Sequence, residues 1–197
     1  MDQVTEGETF RDVDWYAEDL GGRVFVSCVF DDADLTEATS RGARFEDCEF
    51  RGSRLNSSVH DGTSFVGCRF HRTSFFDVTL RGCKLMGSSF VDCKLRPMTV
   101  EGGNWSYVQL RGADLSGLDL SGLRLVEADL AEADLRAAVL KGADLSRATL
   151  RAVRLGDGDL AGAALDGVDL TGLEWHGTRL DTTQALLVAE AAGVVVV

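Results

Sequence analysis

Five cysteines, three histidines and thirty-two carboxylates are the reactive groups of this 197-residue chain, and their spacing decides what they can do. Cys28, Cys48, Cys68, Cys83 and Cys93 contain no C-x-x-C pair, the spacing by which one short loop holds a zinc ion. Each lies two residues before a position divisible by five, a place that elsewhere holds mostly Ala, Ser, Thr, Val or Gly. They are therefore expected to be small buried hydrophobes. Cys28, Cys48 and Cys68 recur every twenty residues, but in a reducing cytoplasm neither a disulfide nor a metal is expected to join them. His60 and Ser40 are also twenty residues apart, both in slots otherwise filled by Leu or Phe, so they are expected to hydrogen-bond in a polar patch of the core. His71 and His176 have no Ser or Cys nucleophile motif beside them, and no dinucleotide-binding, P-loop, zinc-protease or nucleophile-elbow pattern occurs in usable context. The residues thus predict a chain that is not an enzyme and has no cofactor or metal.

What remains is charge. A formal net charge of −12 excludes unaided binding to nucleic acid or to an anionic membrane, both of which need a basic footprint. A basic protein partner is the expectation. Residues 1–20 hold seven acids and one Arg, residues 21–99 ten acids and eleven bases, and residues 100–197 fifteen acids and eight bases. Acidity is therefore concentrated at the N-terminus and in the C-terminal half. The acidic, polar start and the absence of a long apolar run predict a soluble, cytoplasmic protein.

The elements that position these groups follow from a period of five. From Leu20 to Leu180, positions divisible by five are Leu or Phe at 28 of 33 places, the exceptions being Ser40, His60, Val100, Trp105 and Trp175. A helix would scatter such residues around its axis and a strand would put alternate ones on opposite faces, so neither could bury them all. A chain that turns a corner every five residues buries both the anchor and the small residue two before it. Gly42, Gly52, Gly62, Gly82, Gly112, Gly122, Gly142, Gly162 and Gly172 follow anchors by two, where a turn with positive φ would favour them.

The C-terminus departs from this pattern. Asp181 and Gln184 have the spacing of a capping box, and Gly193 is placed to end a helix covering Asp181 to Ala192. That helix is apolar on nearly all sides and must be buried, with one side on the last coil and another on a second copy. Ala185, Leu186, Leu187, Val188, Ala189, Ala192, Val194 and Val196 are the predicted homodimer contacts, the β-branched tail being suited to strand pairing.

On these repeats the chain resembles the pentapeptide-repeat family. The resemblance implies an all-β solenoid, a right-handed quadrilateral β-helix with four pentapeptides per coil over residues 20–180. An acidic arm or first coil would occupy 1–19, and a capping and dimerising helix and strand 181–197. Within that family, Leu85 to Pro97 (LMGSSFVDCKLRP) and Thr178 to Ala185 (TRLDTTQA) resemble the mycobacterial-type fluoroquinolone-resistance proteins. The implication is a rod-shaped dimer that mimics DNA, binds DNA gyrase and inhibits supercoiling. A dimer would carry −24 over roughly 77 Å, about one charge per 3.2 Å against about 1.7 Å in duplex DNA. Asp114, Asp119, Glu127, Asp129, Glu132, Asp134, Asp144, Asp159, Asp169 and Glu174 are the candidate gyrase-binding acids. The alternative is a repeat scaffold that binds another basic protein.

Overall fold

The computed structural model describes residues 4–195, and its chain winds into parallel coils in which each residue stacks on the one twenty positions later. One side is the ladder of Val4–Glu6, Val24–Val26, Arg44–Glu46 and Ser64–Val66. A second runs from Thr9–Arg11 through Val29–Asp31, Glu49–Arg51 and Arg69–His71 to Ser89–Val91. A third joins Thr39–Arg41, Val59–Asp61, Val78–Arg81 and Met98–Glu101. Single bridges through Asp14, Asp34, Arg54, Ser74 and Lys94 make the fourth side. The ladder begins at Val4, so the described residues of the N-terminal segment form a first coil and not a free arm.

The inward anchors fill the coil. Phe10, Phe30, Phe50, Phe70 and Phe90 form one column with ring centroids 5.1, 4.6, 4.9 and 4.9 Å apart, and Phe25, Phe45 and Phe65 form a second at 5.0 and 4.9 Å. Identical rings at the ladder spacing stack almost parallel, while the two columns meet at steep or tilted angles. Leucines fill the later coils, with Leu120, Leu130, Leu140, Leu150 and Leu160 all at most 2% exposed. The corner falls two residues after each anchor. Gly112 and Gly142 take φ of 67° and 62° there, but Glu127 and Glu132 hold the same left-handed conformation at 56° and 63°.

The ladder opens in two places although the five-residue phase never slips. Between residues 92–102 and 111–121 the regular bonds from Leu95 to Asp114 and from Val100 to Asp119 are missing among the described residues, while the bonds from Phe90 to Gln109 and from Trp105 to Arg124 on the other sides persist. A second opening separates residues 148–155 from 169–174. Both fall where the small inward slot holds large residues in successive coils: Met98 below Leu118, and Val153 below Leu173. Val78 beneath Met98 keeps a closed ladder, so bulk in this slot favours an opening without enforcing it, and in both openings the upper residue is Leu. Leu123 keeps its ladder because Gly103 lies beneath it, where an added Cβ would overlap the Cys83 carbonyl. Pro97 adds to the first opening by removing a donor at its corner.

A helix, Thr182–Ala191, closes the far end with the capping box formed as expected: the Asp181 side chain accepts from the Gln184 amide and the Gln184 side chain accepts from the Asp181 amide. The contact with the last coil is apolar in part, through Val188, and polar in part. Gln184 is the buried residue of the helix, and its Nε2 donates to the carbonyls of Leu160 and Ala163 at 2.6 and 2.7 Å. No strand forms among the described residues of the tail, because Val194 and Val195 have left the last coil and lie exposed. Among the described residues no helix is long and apolar enough to cross a membrane.

Candidate functional site

The acids just before anchors have a local task that precedes any binding. The Oδ1 atoms of Asp114, Asp119, Asp129, Asp134, Asp144, Asp159 and Asp169 each accept the backbone N–H two residues on, at 3.0 to 3.2 Å. Each carboxylate thereby caps its own corner in an Asx turn. The sequence carries the signature of these caps, Asp followed two residues later by Ser, Thr, Ala or Arg at corner after corner, which a count of charge passes over.

Ion pairs then divide the ten candidate acids. Asp134 does not lie on a free acidic face: its side chain is 6% exposed and is clamped by Arg136 at 2.6 Å and Arg154, one coil above, at 3.0 Å. The Arg136 guanidinium holds its carboxyl below the usual carboxylate range. Asp159 is also enclosed, with Lys141 at 3.2 Å and Arg179 at 3.7 Å. Glu127 binds Arg147, Glu132 binds Arg111 and Arg151, and Asp114 binds Arg96. Asp119, Asp129, Asp144, Asp169 and Glu174 have no ion pair among the described residues. Hydrogen bonds from the Ser121 hydroxyl and amide lower the pKa of Asp119, and Ser146 does the same for Asp144, so both are anionic at neutral pH. Asp114, Asp134 and Arg154 follow one another in a column, in which Arg154 neutralises Asp134.

Of the groups that a catalytic reading would use, the cysteines and His60 are built into the coil, while His71 and His176 lie at its surface. Cys48 and Cys68 donate to the carbonyls of Phe25 and Phe45 one coil below, all five cysteines are free thiols, and burial pushes Cys83 and Cys93 up to about 11. No cluster of metal-binding side chains exists among the described residues. His60 is fully buried, with Nδ1 2.7 Å from the Ser40 hydroxyl and Nε2 3.0 Å from that of Ser58. Ser40 also meets Thr63 at 2.7 Å. Desolvation lowers the His60 pKa to about 4, against about 6.5 for an exposed imidazole. A depressed histidine contributes stability that is present above the unfolded pKa and lost as pH falls through the interval between the two values. Between pH 7 and 4.5 the wild type is therefore expected to lose about 2–3 kcal/mol that His60→Gln does not lose, measured by urea unfolding. Parallel losses in the two proteins would show that His60 is not held neutral.

The predicted dimer contacts fall into two groups. Val188 and Ala189 are half-buried against the end of the rod, whereas Ala185, Leu186, Leu187, Ala192 and Val194 face outward, with Leu186 41% and Leu187 38% exposed. Val196 lies outside the described residues.

The model of pentapeptide repeats, in eight copies, matches residues 25–58, 61–92, 100–130, 119–157 and 128–167. No curated protein sequence matches the chain. In structure it is similar to a trypsin-treated form of QnrB1, a plasmid-mediated fluoroquinolone resistance protein, with a TM-score of 0.67 at 24% identity over 100% of this chain and 99% of that one. Full-length QnrB1 gives a TM-score of 0.66 at 23% identity over 98% and 99% of the two chains. At these identities the likeness is one of fold.

Proposed function

The chain belongs to the pentapeptide-repeat family, and from that premise we propose that it is a non-catalytic DNA mimic that binds DNA gyrase and inhibits supercoiling, giving fluoroquinolone resistance or gyrase regulation. The observation that carries this reading is the set of carboxylates without an ion pair among the described residues, Asp119, Asp129, Asp144, Asp169 and Glu174, borne on a ladder-built rod in its acidic half. Their spacing is fixed by the coil, so the charge needs no ordering on binding. A basic groove shaped for duplex DNA is the complementary surface.

The rod works as a homodimer joined through the C-terminal helix. Leu186 and Leu187 are an exposed apolar pair, Val194 and Val195 are exposed as well, and covering them with a second copy brings the two acidic halves together at the centre. Leu187→Glu is expected to sediment as a monomer at micromolar concentration where the wild type sediments as a dimer. A monomeric wild type would remove the long rod from this reading.

The caps supply a clean test of the charge. Asparagine keeps the Oδ1 acceptor of the corner and loses the charge, so Asp119→Asn, Asp129→Asn, Asp144→Asn and Asp169→Asn, combined with Glu174→Gln, should leave the coil intact. Each chain then goes from −12 to −7, and inhibition of gyrase supercoiling is expected to weaken by about tenfold or more, since each exposed charge contributes a fraction of a kcal/mol. Unchanged inhibition with an unchanged circular dichroism spectrum would place the binding surface elsewhere. A wild type that never inhibits gyrase would favour a scaffold for another basic protein.

A further inference from the structure

The opening between residues 92–102 and 111–121 is the largest departure from regularity in the rod. We propose that it is an acceptor site for an extended peptide segment carrying basic side chains, which enters the opening as an added strand. The backbone N–H groups of Asp92, Leu95, Val100 and Gly102 on the lower coil, and of Asp114 and Asp119 on the upper coil, make no ladder bond across the opening. In every well-stacked coil the equivalent groups are paired, as with Phe75 to Lys94 or Asp134 to Ala113. Unpaired ladder groups on both sides of one opening are what an added strand satisfies, and both coils run in one direction, so the guest would run parallel to them.

The opening also has a floor and a rim. A cleft of about 560 Å³ lies at its corner, with Phe90, Val91, Cys93, Leu95 and Ala113 as its apolar wall. Val91 is 51% exposed. Its charged members are unequal: Arg111 is held by Glu132 and Asp114 by Arg96, whereas Asp129 has no ion pair among the described residues and Asp92 meets only His71 at 3.8 Å. The unspent charge is negative, which selects a segment with Lys or Arg alternating with apolar residues. The second opening has a comparable cleft, but Arg136 and Arg154 share the single carboxylate of Asp134 and leave its lining close to neutral, so the same segment should bind there more weakly. The inference does not depend on gyrase being the partner.

The test uses the full chain and a blocked ten-residue peptide alternating valine and lysine. Binding is expected at micromolar concentration, with slowed hydrogen exchange at the amides of Leu95, Val100, Asp114 and Asp119. A peptide N-methylated at alternate backbone nitrogens should bind about tenfold more weakly, because it loses ladder bonds while keeping its charge. The valine–glutamate peptide should not bind. Asp92→Asn with Asp129→Asn, which preserves the corners, should weaken binding about three- to tenfold. Protection confined to the first coil, the second opening or the C-terminal acids would overturn the proposal. So would equal binding by the N-methylated peptide, which would reduce the contact to charge alone, or no binding by the valine–lysine peptide at millimolar concentration.

Discussion

Phe50→Ala is expected to destabilise the protein by about 3–5 kcal/mol, read as a lowered denaturation midpoint. Phe50 is 0% exposed and lies between Phe30 at 4.6 Å and Phe70 at 4.9 Å, with interplanar angles of 8° and 18°. Phe45 flanks it at 5.6 Å. Removing the ring leaves a void that the coil cannot close, because neighbouring coils are held at a fixed spacing by the backbone ladder. Phe50→Leu should cost less than half as much, since leucine fills the equivalent slots of the later coils. Arg69→Ala, at an exposed position of the next coil, should change stability by less than about 0.5 kcal/mol. Similar small losses for Phe50→Ala and Arg69→Ala would contradict a core made of stacked anchors.

The five-residue unit was legible because burial is decided locally: each anchor is in phase, and no other element buries a residue in every five. The column of twenty was harder to see, and most of what sequence reasoning missed lies along it. Met98 and Leu118 look like ordinary apolar residues in a repeat whose phase is perfect. Only their stacking in successive coils, with Leu118 uppermost in a slot that elsewhere holds Ala or Cys, marks the place where the ladder opens. Val153 and Leu173 repeat the lesson at the second opening.

Charge was misread for a related reason. A net count treats Asp134 and Asp129 alike, since both precede a leucine. Asp134 meets Arg154 because twenty residues make one coil, and meets Arg136 because its Asx turn brings residue 136 back over residue 134. Asp129 has Thr149 above it and no cation. At the C-terminus the capping box was legible from Asp181 and Gln184, but an apolar surround hid that Gln184 itself would be the buried group. Its amide donates to the Ala163 carbonyl, which takes no backbone hydrogen bond among the described residues, and to the Leu160 carbonyl, which also accepts the Ala163 amide.

Asp134→Lys should therefore act on the fold before it acts on any partner, with an expected cost of about 3–5 kcal/mol. The substitution removes the acceptor that caps the corner at the Arg136 amide, 3.1 Å away, and places a third cation between Arg136 and Arg154 in a site where the carboxylate is almost fully enclosed. Asp134→Asn keeps the cap and loses only the two ion pairs, so it should cost less than the lysine variant. Asp129→Lys faces no cation and loses a cap worth about 1 kcal/mol. Denaturant unfolding of the three variants should rank Asp134→Lys as the least stable by a clear margin. Equal midpoints for Asp134→Lys and Asp129→Lys would mean that the clamp around Asp134 does not hold in solution. The ranking also governs how binding experiments are read: weakened gyrase inhibition by Asp134→Lys would report a damaged coil, whereas the same weakening by Asp129→Asn, with its corner intact, would report the surface.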